Sequence, residues 1–172
     1  MKTQSLILAA VAAALAVPAL AQEGAATPPA RPQTIPLAQA VAAAEQALGA
    51  RAFDAELDHE RGGLVYDIDL VKDGRPVEAE VDAATGKVLR HSRPAAIRLP
   101  FGGDALKAAQ AAPRTLSQTI ALIETSTKGR VADIGLEREG GRYYYEAELT
   151  GAPDREVRVD LRTGAISPVI DD

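Results

Sequence analysis

The chain has 172 residues, of which 24 are acidic and 19 are basic, so its formal net charge at pH 7 is −5. A mildly acidic chain is a poor candidate for binding nucleic acid, because neutralising phosphates requires a basic surface. The chain contains no cysteine, which excludes disulfides, thiolate nucleophiles and cysteine-ligated metals. The fold must therefore be stabilised by its hydrophobic core.

Residues 1–21 have the composition of a signal peptide. Lys2 supplies a short positive region, residues 6–17 are apolar, and residues 19–21 (Ala-Leu-Ala) fit a small-x-small cleavage site. We expect cleavage before Gln22, no membrane span afterwards, and a periplasmic or secreted protein. A retained membrane anchor is the alternative, but the apolar run is short for one.

Residues 22–34 are rich in proline and have little to bury, which predicts a flexible leader. A helix is predicted next, with Pro36 in its first turn and Gly49 at its end. Its apolar residues recur at helical spacing and form one stripe: Leu37, Val41, Ala44 and Leu48. Gln39 and Glu45 are expected on the outer face of this helix.

After the helix the apolar residues alternate with polar ones, which is typical of strands with one buried face. The inward positions are Phe53, Ala55 and Leu57, then Leu64, Tyr66, Ile68 and Leu70, then Val77, Ala79 and Val81. Turns are predicted at residues 61–63, 73–74 and 85–86, because each contains glycine. The pattern predicts an antiparallel meander whose apolar face is covered by the helix.

The whole pattern occurs twice. Leu37 and Leu70 correspond to Leu116 and Leu149 with an offset of 79 residues. The offset becomes 78 at the paired turn residues, which are Asp82, Thr85 and Gly86 in the first copy and Asp160, Thr163 and Gly164 in the second. We expect repeat 1 over residues 35–91, a linker over 92–113 with a short helix at 104–111, and repeat 2 over 114–172.

The second repeat contains two further signals. Thr115 and Gln118 form a capping-box pattern at the start of its helix. In the run of three tyrosines, Tyr143 and Tyr145 should face the core, and Tyr144 should point outward beside Glu146 and Glu148. The predicted fold class is α+β, with two tandem repeats, each consisting of one helix packed on an antiparallel β-meander. The pattern leaves open whether the two sheets pair or only pack.

The repeat resembles the PepSY domain. The resemblance rests on the alternation Tyr66-Asp67-Ile68 and the ending Val81-Asp82-x-x-Thr85-Gly86-Lys87-Val88, with Tyr145-Glu146-Ala147 and Val159-Asp160-x-x-Thr163-Gly164-Ala165-Ile166 as the second copy. One departure is Pro36, which stands where the family usually has a polar cap. The resemblance implies a module without catalytic residues. Such domains occur in the propeptides of thermolysin-like metalloproteases, in small exported proteins and in extracytoplasmic parts of membrane proteins.

Two sets of acidic residues are candidates for chemistry. Asp82 and Asp160 could be ligands or acid/base groups, but an Asp shortly before a turn glycine commonly caps the turn, and we favour that role for both and for Thr85 and Thr163. The other set is the outer strand face, where Asp67, Asp69, Glu78 and Glu80 could approach a hard cation such as Ca²⁺. We favour a solvated face, compensated by Lys72, Arg75 and Lys87.

No pattern in the sequence supports an enzyme. His59 and His91 have no metal-ligand spacing, the serines have no partner base in a motif, and the paired glycines lie between strands. We therefore expect no catalytic residues and no cofactor.

The leading hypothesis is a non-catalytic exported protein that binds another protein in the cell envelope, with restraint of a protease as one form of that binding. The alternative is an envelope sensor that responds to a small ligand or a metal. Tyr144, Glu146 and Glu148 are the candidate contact patch, since exposed tyrosines are enriched at interfaces.

Overall fold

We describe the protein from a computed structural model, in which residues 33–93, 103–153 and 155–169 are described. The predicted signal peptide, most of the leader and residues 94–102 lie outside the described residues. Repeat 1 contains helix α1 and four strands: α1 Leu37–Leu48, β1 Arg51–Glu60, β2 Gly63–Lys72, β3 Arg75–Asp82 and β4 Val88–Ser92. Helix α2, Gly103–Ala111, follows within the stretch predicted as a linker.

Repeat 2 has the same order of elements as repeat 1. It contains α3 Leu116–Thr127, β5 Arg130–Glu139, β6 Arg142–Thr150, β7 Glu156–Asp160 and β8 Ile166–Pro168. The predicted fold class is confirmed: each repeat is a helix followed by antiparallel strands. Helix α3 begins with the predicted capping box, in which Thr115 accepts from the Gln118 backbone N–H and the Gln118 side chain accepts from the Thr115 N–H.

The strands of the two repeats join into one eight-stranded antiparallel sheet, which the sequence pattern had left open. The strand order is β4-β3-β2-β1-β5-β6-β7-β8. The repeats meet at β1 and β5, where Ala55 lies opposite Ile134 and Glu56 lies opposite Asp133. Ala55 and Ile134 are also equivalent by the offset of 79, so an approximate twofold axis passes through this pair.

The helices cover one face of the sheet and form the core with it. Helices α1 and α3 pack against each other and onto β1, and α2 packs on β1 and β2. The largest fully buried side chains include members of both repeats: Val41, Ile68, Leu70, Leu116, Ile120, Ile123, Ile134 and Tyr145. The second face of the sheet holds the charged residues of the alternating pattern.

Side-chain hydrogen bonds also link the repeats on the helix side. Arg51 Nη2 of β1 donates to the backbone oxygens of Ala112 at 2.6 Å and of Arg114 at 3.0 Å, just before α3. Glu45 Oε2 of α1 accepts from Ser117 Oγ of α3 at 2.8 Å. The expectation that Glu45 lies on the outer helix face is therefore wrong, because its carboxylate lies between α1 and α3.

Leu57 also departs from the sequence pattern. It was expected to face the core, but 42% of its surface is exposed. The last five residues of β1 are all exposed, whereas most of the first five are buried. The end of the β1–β2 hairpin therefore extends beyond the part of the sheet that the helices cover.

Candidate functional site

The two turn corners have the same hydrogen bonds. Asp82 Oδ1 accepts from the backbone N–H of Ala84 at 3.1 Å, from that of Thr85 at 2.7 Å and from Thr85 Oγ1 at 2.7 Å. In repeat 2, Asp160 Oδ1 accepts from three equivalent donors: the Arg162 N–H at 3.1 Å, the Thr163 N–H at 2.7 Å and Thr163 Oγ1 at 2.8 Å.

These bonds stabilise the ionised carboxylates. The side-chain hydrogen bond from Thr85 is the largest cause that lowers the pKa of Asp82, and the backbone hydrogen bond from Thr163 is the largest for the pKa of Asp160. An aspartate that accepts three hydrogen bonds with a lowered pKa is a poor proton acceptor. The geometry therefore agrees with turn capping and offers nothing for acid–base chemistry.

The turn glycines complete these corners. Gly86 has φ 75° and Gly164 has φ 76°, a backbone region that residues with a Cβ rarely adopt. The residue two positions before each helix packs on its glycine: a Cβ on Gly86 would lie 2.9 Å from Ile35 Cδ1, and one on Gly164 would overlap the guanidinium of Arg114. Each corner thus fixes the start of its own helix.

The outer face of the sheet carries a row of acidic residues across several strands, which we call the acidic ladder. Cross-strand pairs place Glu56 beside Asp67 and Asp67 beside Glu80, and a second row places Asp54 beside Asp69 and Asp69 beside Glu78. The ladder continues into repeat 2 through Asp133 of β5. Asp133 lies opposite Glu56 of β1 on one side and opposite Glu148 of β6 on the other. The four acids singled out from the sequence are thus brought together.

The ladder lines a shallow groove of about 410 Å³ in repeat 1. Its carboxylates come from β1, β2 and β3, and β4 supplies Arg90, His91 and Ser92 at one end. Arg90 forms an ion pair with Glu80, and Ser92 Oγ donates to Glu78 Oε2 at 3.1 Å. The β4 end of the groove is therefore partly neutralised, and the end near β1 is not.

Burial and mutual repulsion raise the pKa values of four carboxyls of the ladder: Asp54, Asp67, Asp69 and Asp133. Burial is the largest cause that raises the pKa of Asp54 to about 7, followed by the charges of Asp69 and Asp133. Burial likewise raises the pKa of Asp69 to about 6 and that of Asp133 to about 6. The pKa of Asp67 is raised for the same reason, with the charge of Asp58 as the next cause.

The ladder does not form a recognisable metal site. Within the described residues, no group of three or more His, Asp or Glu side chains has a geometry that could hold a metal ion. The acidic face of Asp67, Asp69, Glu78 and Glu80 therefore has the charge for a cation and lacks the converging ligand geometry.

The candidate contact patch lies on β6 of the same outer face. Tyr144 is half-buried, between Glu137 on β5 and Asp160 on β7. Glu146 accepts from Arg158 Nε at 2.6 Å, and Arg158 Nη1 also donates to Glu139 at 2.6 Å. Glu148 is exposed. The three residues share a face, but Glu146 is already paired and Tyr144 presents only part of its ring.

Sequence reasoning did not single out the residues at the centre of the ladder, Asp54, Asp133 and Gly135. A Cβ on Gly135 would lie 2.7 Å from Asp54 Oδ2, so the absent side chain makes room for this carboxylate. The signal in the sequence is the offset of 79, which places Gly135 where repeat 1 has Glu56. That signal becomes meaningful only once β1 and β5 are known to pair.

Comparison with known families gives the identity of the repeat. The family described as "Peptidase propeptide and YPEB domain", PepSY, matches residues 34–91 and 103–167, which together are more than half of the chain. This chain belongs to the PepSY family. The second PepSY match begins at residue 103 and so includes α2. PepSY domains are in general non-catalytic, propeptide-like modules associated with regulation of proteases.

No curated protein matches the chain. Among solved structures, the crystal structure of a "putative lipoprotein" from Clostridium difficile 630 is 18% identical, covers 83% of this chain and 97% of that one, and has a TM-score of 0.46. A similarity at this level does not bear on function.

Among the helices of the described residues, none has both the length and the apolar composition needed to cross a bilayer.

Proposed function

We propose that this is a non-catalytic exported PepSY protein that binds another protein of the cell envelope through its sheet. The observation that carries the proposal is the β4 edge. β4 is a terminal strand of the sheet, has five residues without proline, and is exposed along almost its whole length. In the described ranges no strand pairs with its outer side, so its backbone groups can accept an extended segment of a partner.

The opposite edge is less suited to strand addition. β8 has three residues and ends with Pro168, which lacks a backbone N–H. Leu89 on β4 is 51% exposed, which gives an added strand an apolar side chain to contact. The two repeats, although built alike, therefore differ at their edges, and we assign the partner to the edge of repeat 1.

The outer face continues this surface. The acidic ladder lies on β3, β2 and β1, next to β4, so a partner segment that continued from the edge onto this face with basic side chains would be complementary to it in charge. Tyr144, Glu146 and Glu148 extend the same face into repeat 2. Restraint of a protease is the form of binding for which the family provides precedent, and an extracytoplasmic metalloprotease is the first partner class to test.

A photo-crosslinking experiment tests the docking surface. A photoreactive phenylalanine analogue replaces Leu89 at the edge, Tyr144 on the face, or Gln46 on the exposed side of α1, each in the protein expressed in its own host. We expect adducts of one mass from position 89, weaker ones from 144, and none from 46. Adducts from position 46 alone would show that the helices bind the partner.

Two further measurements complete the test. Tyr144→Ala should weaken binding of the captured partner, and urea unfolding of the same variant should show that it remains folded under the binding conditions. Purified protein should also inhibit an extracytoplasmic metalloprotease of the same host in a peptide-cleavage assay. If it binds an adduct partner yet inhibits no protease, binding stands and protease restraint is wrong.

A further inference from the structure

The two repeats share only a short stretch of sheet, which we call the seam. It consists of the registered pairs Ala55–Ile134 and Glu56–Asp133, whereas β1 and β2 have nine registered pairs within repeat 1. The seam is therefore the part of the sheet with the fewest backbone pairs to resist a local perturbation.

Carboxylates lie on the outer face of the seam from both repeats. β1 contributes Asp54 and Glu56, and β5 contributes Asp133. Because Gly135 has no side chain, the Asp54 carboxylate packs over its backbone, 2.7 Å from where a Cβ would lie. The Asp54 carboxylate therefore lies over β5, on the side of the seam where Asp133 is.

The neighbouring strands add further carboxylates, and within the described part of the chain the charges that shift the pKa values of Asp54, Asp69 and Asp133 are all negative. The Asp54 carboxylate is repelled most strongly by the charge of Asp69 on β2 and then by that of Asp133 on β5. Glu56 on its own strand and Glu137 on β5 add to this repulsion. The Asp133 carboxylate is repelled by the charges of Glu56 on β1 and Glu148 on β6. The Asp69 carboxylate is repelled by the charges of Glu78 on β3, Asp67 on β2 and Glu56 on β1.

Two arginines on the outer face of the sheet form ion pairs with acidic residues on either side of the seam, away from Asp54 and Asp133. Arg90 of β4 pairs with Glu80, and Arg158 of β7 pairs with Glu139 and Glu146. Like charges held close together in a partly desolvated site destabilise the state in which all of them are ionised. The strain of that repulsion is centred on the strand pair that joins the repeats.

We propose that the seam is a pH-sensitive joint between the two PepSY repeats: β1 and β5 pair firmly when the carboxyls of Asp54, Asp69 and Asp133 are protonated, and the pairing loosens when they ionise.

The direction of the effect follows from the sign of the shifts. Each of these carboxyls has a pKa in the folded protein above its ordinary value of 3.8. Between the two values the folded protein binds protons that the unfolded chain does not, so stability rises as the pH falls. The rise should begin as the pH drops through about 7 and end near 4, where the unfolded chain is also protonated.

Thermal unfolding of the purified protein at a series of pH values tests the joint. We expect the melting temperature to rise by about 5 °C or more between pH 8 and pH 5, given that 1 kcal/mol corresponds to a few degrees in a chain of this size. The double variant Asp54→Asn/Asp133→Asn should already melt higher at pH 8 and lose at least half of the rise. Asp73→Asn, which changes an exposed acid in the turn between β2 and β3, should retain the rise in full.

Hydrogen exchange locates the effect. After correction for the intrinsic rate, peptides covering residues 53–57 and 132–136 should lose protection between pH 5 and pH 8, and a peptide covering 76–81 in β3 should not. Equal loss in all three peptides would contradict a joint at the seam.

Direct titration avoids any dependence on the variants folding. Carbon-13 NMR of the side-chain carboxyls in the unmodified protein should give midpoints above about 5.5 for Asp54 and Asp133. Midpoints near 4, or an unchanged melting temperature from pH 8 to pH 5, would overturn the proposal.

Discussion

Glu45 and Glu124 occupy equivalent positions in the two repeats, and each binds the backbone at the start of a β-bulge. Glu45 Oε1 accepts from the Ala52 N–H at 3.3 Å, and Glu124 Oε1 accepts from the Val131 N–H at 3.2 Å. The bulges lie between Ala52 and Asp54 and between Val131 and Asp133. The helix of each repeat thus stabilises the bend in its first strand.

The pair differs in its second bond, which gives the first prediction. Glu45 also binds Ser117 of the other repeat, whereas Glu124 pairs with Arg130 of its own. Glu45→Ala should lower the free energy of unfolding by about 1–3 kcal/mol, because it leaves the Ala52 N–H without its side-chain acceptor and removes the hydrogen bond from Ser117. Urea unfolding measures this, with Glu124→Ala expected to cost less.

Gln46→Ala is the control for helix α1, since that side chain is exposed and should change stability by no more than about 0.5 kcal/mol. Equal costs for Glu45→Ala and Gln46→Ala would contradict the role of Glu45.

The second prediction concerns the turn corners at low pH. Asp82 and Asp160 have lowered pKa values, so the stability they contribute is present above pH 3.8 and is lost as the pH falls through their folded values. This opposes the effect of the seam carboxyls, and stability should be greatest between about pH 4 and pH 6. In urea titrations, Asp82→Ala/Asp160→Ala should be less stable than the unmodified protein at pH 5 and should show a smaller fall below pH 4.

If the double variant lost as much unfolding free energy below pH 4 as the unmodified protein, carboxylates other than Asp82 and Asp160 would cause that loss, and the prediction would be wrong.

The third prediction uses the close approach at the seam. Gly135→Ala should lower the free energy of unfolding by no more than about 1 kcal/mol, because the new Cβ would overlap only the end of the Asp54 side chain, which has to turn away. Combining it with Asp54→Ala should remove most of that cost, and a double-mutant cycle of urea midpoints measures the coupling. Purely additive effects would show that Asp54 does not rest on Gly135.

Local patterns predicted much of this fold. The stripe Leu37, Val41, Ala44, Leu48, the capping box at Thr115 and the glycine turns depend on neighbouring residues, so the sequence expresses them directly. The pairing of β1 with β5 involves residues 79 apart in the chain, and no local pattern encodes it. The positions of Asp54, Gly135 and Glu45 depend on that pairing, which is why their roles emerged only from the structure.

The exposure of Leu57 follows the same reasoning. Alternation predicts which side of a strand a residue faces, but it does not predict where the helices stop covering that side. The turn corners at Asp82 and Asp160 were predictable from the sequence alone. Every hydrogen-bond donor and acceptor of each corner lies within four consecutive residues.

The fourth prediction addresses the metal-responsive alternative. If the acidic ladder is only solvated, millimolar Ca²⁺ should leave the melting temperature unchanged within error. A site occupied at a hundredfold excess over Kd would instead add about 2.7 kcal/mol of stability. An upward shift that disappears in Asp67→Asn/Glu78→Gln would favour the sensor function over protein binding.

The most direct test of the central claim, that a partner docks on the sheet, is amide hydrogen exchange of the protein alone and bound to the partner captured by crosslinking. The account predicts new protection at β4, residues 88–92, because an added strand would bond to its free backbone groups. It also predicts little change in α1 and α3. Protection confined to the helices, with β4 exchanging as in the free protein, would contradict the account.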